Sequence, residues 1–167
     1  AFKRCSSLAT IVIPDGVTGI GSYAFENCSG LISVTIPDGV ESLGSGAFSG
    51  CTGLEAIEIP NSVTLMGTNV FSGCSNLAEA VISNNLTAIE ARTFSQCISL
   101  ASITIPESVV RIGSFVFEEC SALTQVTFHG PPPGVVDSLP FRNVAVDSEV
   151  FVDAEHLALF GIEGADW

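Results

Sequence analysis

Residues 48–74 read FSGCTGLEAIEIPNSVTLMGTNVFSGC. The stretch opens on Phe48-Ser49-Gly50-Cys51 and closes on Phe71-Ser72-Gly73-Cys74, the same four residues 23 positions later. The same interval spaces all six cysteines of the chain: Cys5, Cys28, Cys51, Cys74, Cys97 and Cys120. A fixed period of this size marks a stack of repeated structural units, because one unit of this length cannot bury its own apolar face.

Working outward from residues 48–74, the period fixes residue types in columns. One column is Phe throughout: Phe2, Phe25, Phe48, Phe71, Phe94 and Phe117. Another is Leu, from Leu8 through Leu31, Leu54, Leu77 and Leu100 to Leu123. Two β-favouring columns follow, Ile11, Val34, Ile57, Ala80, Ile103, Val126 and Ile13, Ile36, Ile59, Ile82, Ile105, Phe128. The alternation in Leu-x-x-Ile-x-Ile predicts a short strand with one buried face. Pro14, Pro37, Pro60 and Pro106 end it, since proline cannot donate to a ladder. Val-x-x-Ile-Gly predicts a second extended piece, closed by Gly21, Gly44, Gly67 and Gly113. Ala-Phe-x-x-Cys reads as one helical or 3₁₀ turn that tucks Phe and Cys inward. Stacking then places each residue over its copy at the ordinary strand spacing of about 4.8 Å. Phe25, Phe48 and Phe71, Cys28, Cys51 and Cys74, and Leu54 and Leu77 are therefore expected to form continuous ladders.

These motifs, Leu-x-x-Ile-x-Ile-Pro followed by Val-x-x-Ile-Gly-x-x-Ala-Phe-x-x-Cys, resemble the BspA-like leucine-rich repeat family over residues 1–130. The resemblance implies a β-dominated α/β leucine-rich-repeat solenoid. It would be a right-handed superhelix of short parallel strands with short helical or 3₁₀ turns, plus a C-terminal capping segment. It also implies a bacterial or protist cell-surface or secreted protein, and an adhesion scaffold rather than an enzyme. No catalytic residue is shared across that family, so none is carried over, and no cofactor is implied.

The composition narrows the partners. Eighteen Asp and Glu face five Lys and Arg, a net charge of −13. Nucleic acid and anionic membrane surfaces both need a basic face, and both are disfavoured. No apolar run approaches a membrane span, and no signal peptide opens the chain. Because residue 1 falls inside a repeat, further repeats or another domain are expected to precede it.

The fourth repeat departs most from the pattern: Ala80 replaces Ile or Val, Ser83 replaces Pro, and Glu90 replaces Gly. This is ordinary drift or a local bend or contact patch. From Gly130 the pattern stops at Pro131-Pro132-Pro133-Gly134. The expected organisation is an array over 1–130, five full repeats and a partial sixth, and a cap over 131–167. Within the cap, Val144-x-Val146 and Val150–Val152 suggest strands, and Asp153–Phe160 suggests a brief helix ending short of Trp167. A cap is needed because an open last coil exposes its apolar ladder and strand edge.

Few constellations carry chemistry. The cysteines are expected as free, buried thiols, since small inward thiols fill a packed column well. Zinc is disfavoured by the absence of CxxC, and His129 and His156 lie at or beyond the end of the array. A nucleophilic cysteine would need a base and an electropositive setting. Asp15, Asp38, Asn61, Asn84 and Glu107 form an edge row that Asx turns explain, with calcium as the alternative reading. The solvent columns of the longer strands are small and polar, with Thr35 and Thr104 among them. Glu55, Glu58 and Glu79 supply the distinctive charge there. A glycosidase pair is disfavoured because such a face lacks a cleft and aromatic platforms.

The expected function is therefore a non-enzymatic adhesion or recognition module, binding a host matrix or other cell-surface protein along the solenoid face, as a monomer. The alternatives are a structural spacer and an accessory domain of a larger secreted protein or hydrolase.

Overall fold

The computed structural model describes residues 1–131, 133–145 and 149–152. Each coil supplies a longer strand and then a two-residue strand. In chain order these are β1 and β2 (Thr10–Val12, Gly19–Ile20), β3 and β4 (Ser33–Thr35, Ser42–Leu43), and β5 and β6 (Ala56–Glu58, Leu65–Met66). They continue as β7 and β8 (Glu79–Val81, Ala88–Ile89), β9 and β10 (Ser102–Ile105, Arg111–Ile112), β11 and β12 (Gln125–Phe128, Val135–Val136), and β13 (Glu149–Val152). Every pairing is parallel and joins one coil to the next, as in Thr10↔Ser33, Ala56↔Glu79 and Ser102↔Gln125. The molecule is a parallel-strand solenoid whose structural period is its sequence period.

The columns form the expected core. Phe48, Phe71, Phe94 and Phe117 are fully buried, and the rings from Phe2 to Phe117 stack with centroids 5.2–5.8 Å apart and planes within 11°. That spacing is the offset-stacked arrangement that aromatic quadrupoles favour. Leu54 and Leu77 are fully enclosed as well. From β1 to β11 each strand turns one face inward, buried or half-buried, as alternation demands: in β5, Ile57 is buried between exposed Ala56 and Glu58.

The Ala-Phe-x-x-Cys segment differs from the expected helical turn, and the described residues contain no helix. Alternate amides point in different directions. Ala47, Ser49 and Cys51 close four-residue turns onto Gly44, Gly46 and Phe48. Gly46, Phe48 and Gly50 instead donate sideways to Thr68, Val70 and Ser72 of the next coil. A helix would use every amide along the chain. The lateral bonds need two left-handed residues per coil, such as Gly46 at φ 62° and Gly50 at φ 70°. Gly accepts that conformation without the Cβ penalty.

The coil geometry also runs past Gly130, where the sequence pattern stops. β12 pairs with β10 and β13 with β11, through Ile112↔Val136 and Val126↔Val150, a step one residue longer than the 23-residue period. Phe141 continues the ring stack 5.3 Å from Phe117, and Leu139 and Asn143 repeat the left-handed pair. Val144 packs against the core at the step where a cysteine would stand, and lies outside any strand. The suggested helix over Asp153–Phe160, together with Val146, His156 and Trp167, lies outside the described residues.

The fourth repeat interrupts the regular stacking. The short-strand ladder divides into β2-β4-β6 and β8-β10-β12. Glu90 sits at that division in the column that holds Gly21, Gly44, Gly67 and Gly113. A Cβ at Gly44, Gly67 or Gly113 would meet the preceding coil's backbone nitrogen at 2.4–2.5 Å, although Asp137 stands at the same step and still donates to the Ile112 carbonyl at 2.8 Å. Gly44, Gly67 and Gly113 each donate to the preceding coil, to Ile20, Leu43 and Ile89. Among the described residues, the matching bond from Glu90 to Met66 is absent. Ser83, in place of proline, instead bonds across the coils through its hydroxyl to the Val63 carbonyl at 2.8 Å.

Candidate recognition face

The outward side chains of β1, β3, β5, β7, β9 and β11 form one strip of small and polar residues. Thr35, Glu58, Glu79 and Thr104 are all exposed on it. In the β5–β7 register Glu79 lies opposite Ala56 and Glu58 opposite Val81. The two carboxylates are thus diagonal neighbours on adjacent strands. Glu55, just before β5, is exposed beside them, and its backbone ties coils together by accepting from the Ala78 amide at 2.9 Å.

Four of the five Lys and Arg side chains are engaged elsewhere. Arg111 bridges Glu90 at 2.6 Å and Asp137 at 3.2 Å, linking three successive coils. Arg142 pairs with Glu118, Lys3 pairs with Glu26, and Arg92 lies over the Phe115 ring. Among the described residues no ion pair involves Glu55, Glu58 or Glu79. The strip therefore carries uncompensated negative charge over a flat surface.

The cysteines have a structural part. Each buried thiol donates to a Phe carbonyl of the preceding coil, as Cys51 to Phe25 and Cys74 to Phe48, at 3.1 and 3.2 Å. Burial, then the neighbouring thiols, push Cys74 and Cys97 far above the usual thiol range, and burial first of all raises Cys51 and Cys120 to about 12. Such thiols stay protonated and poorly nucleophilic. All six are free of disulfides. Cys5 departs from the expected burial: it is exposed, because no described coil lies above it.

In the edge row the asparagines tie one coil to the next rather than closing local Asx turns. The Asn61 side-chain oxygen accepts from the Asn84 amide at 2.8 Å, and the Asn85 side chain donates to the Asn61 carbonyl at 2.7 Å. No group of three or more His, Cys, Asp or Glu able to hold a metal is found among the described residues. No described helix is long and apolar enough to cross a membrane.

The sequence pattern of the BspA type leucine-rich repeat region matches residues 1–129 in six copies. No curated protein is significantly similar to the chain. Among solved structures, a leucine-rich repeat protein from Bacteroides ovatus is similar at 25% identity, with TM-score 0.55, over 91% of this chain and 51% of that one. One from Eubacterium ventriosum is similar at 26% identity, with TM-score 0.61, over 83% of this chain and 43% of that one. A leucine-rich cell surface protein from Faecalibacterium prausnitzii shares the fold at 20% identity, with TM-score 0.51, over 98% of this chain and 65% of that one. The chain thus spans about half the length of the first two. With the repeat matched over most of its length and the solenoid built as that repeat requires, the chain belongs to the BspA type leucine-rich repeat family.

Proposed function

We propose that this chain is a non-enzymatic recognition module that binds a basic protein surface along its outward strand strip. The observation that carries the reading is the cluster Glu55, Glu58 and Glu79, exposed on neighbouring strands with no cation partner among the described residues. Charge of one sign on a flat face selects partners of the opposite sign and speeds their encounter. Thr35 and Thr104 flank the cluster with hydroxyls for hydrogen bonding. A cell-surface or secreted setting fits the family, and fits the description of the Faecalibacterium relative as a cell surface protein. Residues 131–167 act as the C-terminal cap of an array over 1–130, a role supported by β12 and β13 extending both ladders.

The test is binding to a panel of immobilised host matrix proteins, comparing the native module with a Glu55→Gln, Glu58→Gln, Glu79→Gln triple variant. The expected result is a ligand whose binding weakens in the variant and with added salt. A panel with no such ligand, or one bound equally by both proteins, contradicts the reading and favours a spacer.

A further inference from the structure

Two junctions between longer strands lack a ladder, β3 with β5 and β7 with β9. At the first, flanking bonds still draw the coils together. Glu55 donates to the Ile32 carbonyl at 3.2 Å, and the Ser62 hydroxyl donates to the Val40 carbonyl at 2.7 Å. At the second, the matching bonds from Ala101 to Ala78 and from Ser108 to Leu86 are absent, and the Ser108 hydroxyl is enclosed without a partner. The link along the edge row stops there too. The Asn84 amide donates to the Asn61 side chain at 2.8 Å, but among the described residues no such bond runs from Glu107 to the Asn84 side chain. Two adjoining hollows of about 580 and about 560 Å³ open at this junction and share Asn84, Pro106 and His129.

The walls are polar. Glu79, Asn84, Ser102 and Thr104 line the first hollow, Glu107 joins Asn84 in the second, and His129 stands in both. All six side chains are exposed, and none makes a hydrogen bond or ion pair among the described residues. Asn61, Ser62 and Ser83, by contrast, all bond to a neighbouring coil. Ile82 and Ile103 are buried behind the polar groups, which leaves Val81, 58% exposed, as the large apolar side chain open to an occupant.

We propose that this hollow binds a neutral sugar residue. The inference goes beyond the recognition reading and does not depend on it. The Glu79 and Glu107 carboxylates accept hydrogen bonds, the Asn84 carboxamide donates and accepts, and the Ser102 and Thr104 hydroxyls do both. A pyranose, with a hydroxyl on most of its carbons, answers donors and acceptors set side by side. The volumes lie within the range of small-molecule sites. Neither hollow is lined by Lys or Arg, so an acidic sugar or a phosphate finds no counter-charge. No aromatic ring lines them either, so the grip comes from hydrogen bonds and contact with Val81, and binding is weak.

Saturation-transfer NMR suits weak binding. The probes are the methyl glycosides of glucose, galactose, mannose and N-acetylglucosamine, each tested with the native module and with an Asn84→Ala, Glu107→Gln variant. Neither side chain has a partner in the fold, so the variant should keep the native melting temperature. At least one glycoside should receive transfer from the native protein, unchanged between about 50 and about 300 mM salt because the ligand is neutral. Loss of the hydrogen bonds should weaken that binding about tenfold in the variant. A Glu55→Gln, Glu58→Gln variant, altered outside the hollow, should bind the glycoside as the native protein does. No transfer to any of the four, or equal binding by the native protein and the Asn84, Glu107 variant, overturns the proposal. Hexalysine bound by the native module and lost in that variant, with no glycoside bound, assigns the hollow to a basic partner and overturns the sugar.

Discussion

Replacing Phe71 with alanine perturbs the core at a fully enclosed point. The ring is fully buried and sandwiched between Phe48 and Phe94, both 5.6 Å away. Truncation of a buried Phe costs about 3–5 kcal/mol from lost transfer free energy and the cavity left behind. Two stacking partners are lost, each worth about 0.5–1.5 kcal/mol beyond burial, which places the expected loss at the upper end of that range. Phe2→Ala is the internal control. That ring is 42% exposed and stacks on one described neighbour, so its loss should be about 1 kcal/mol. Urea denaturation followed by circular dichroism measures both. A Phe71→Ala loss below about 1 kcal/mol, or equal losses at the two sites, would refute the continuous ladder.

Other consequences follow from the same packing. Leu77→Ala, at another fully enclosed ladder position, should cost about 2–5 kcal/mol, and a loss under about 0.5 kcal/mol would contradict the register. Thiol titration of the native protein should show Cys5 reacting promptly and the five buried cysteines slowly, with all six titrating after denaturation; fewer than six would reveal a disulfide. Folding stability should be level below the unfolded thiol pKa of 9.0 and fall from there toward about 12, because the unfolded thiols ionise while Cys51 and Cys120 remain protonated. The slope is up to about 1.4 kcal/mol per pH unit per thiol, and Cys51→Val with Cys120→Val should make it shallower, the other buried thiols supplying the remainder; an unchanged slope would exclude this cause. Deleting residues 131–167 removes β12 and β13 and should cause self-association on light scattering, whereas a monomer with unchanged melting would refute the capping role.

Much of the fold was legible because a 23-residue period repeats the same physical problem in each coil. Phe, Leu and Ile columns can be buried only by stacking, so strand positions, inward faces and the parallel order follow. The turns were harder to read. Whether Gly46, Phe48 and Gly50 bond along the chain or sideways depends on the neighbouring coil, which local propensity does not contain. The added coil beyond Gly130 was hidden by its lengthened step and by lost residue types, with Val144 where a cysteine would stand. Its signal was Val135-Val136 followed by Phe141, which mirrors Arg111-Ile112 and Phe117 once one residue is allowed for the proline run. At the face, Glu55, Glu58 and Glu79 were visible as charges on predicted strands. The hollow between β7 and β9 was not, because it depends on how two neighbouring coils stand against each other.

The measurement closest to the central claim is the association rate of the module with its matrix ligand as ionic strength is raised from about 50 to about 300 mM. Electrostatic recognition by the strand strip predicts a rate that falls steeply with salt for the native protein and shallowly for the Glu55→Gln, Glu58→Gln, Glu79→Gln variant, with dissociation little changed. Equal salt slopes for the two proteins would contradict it.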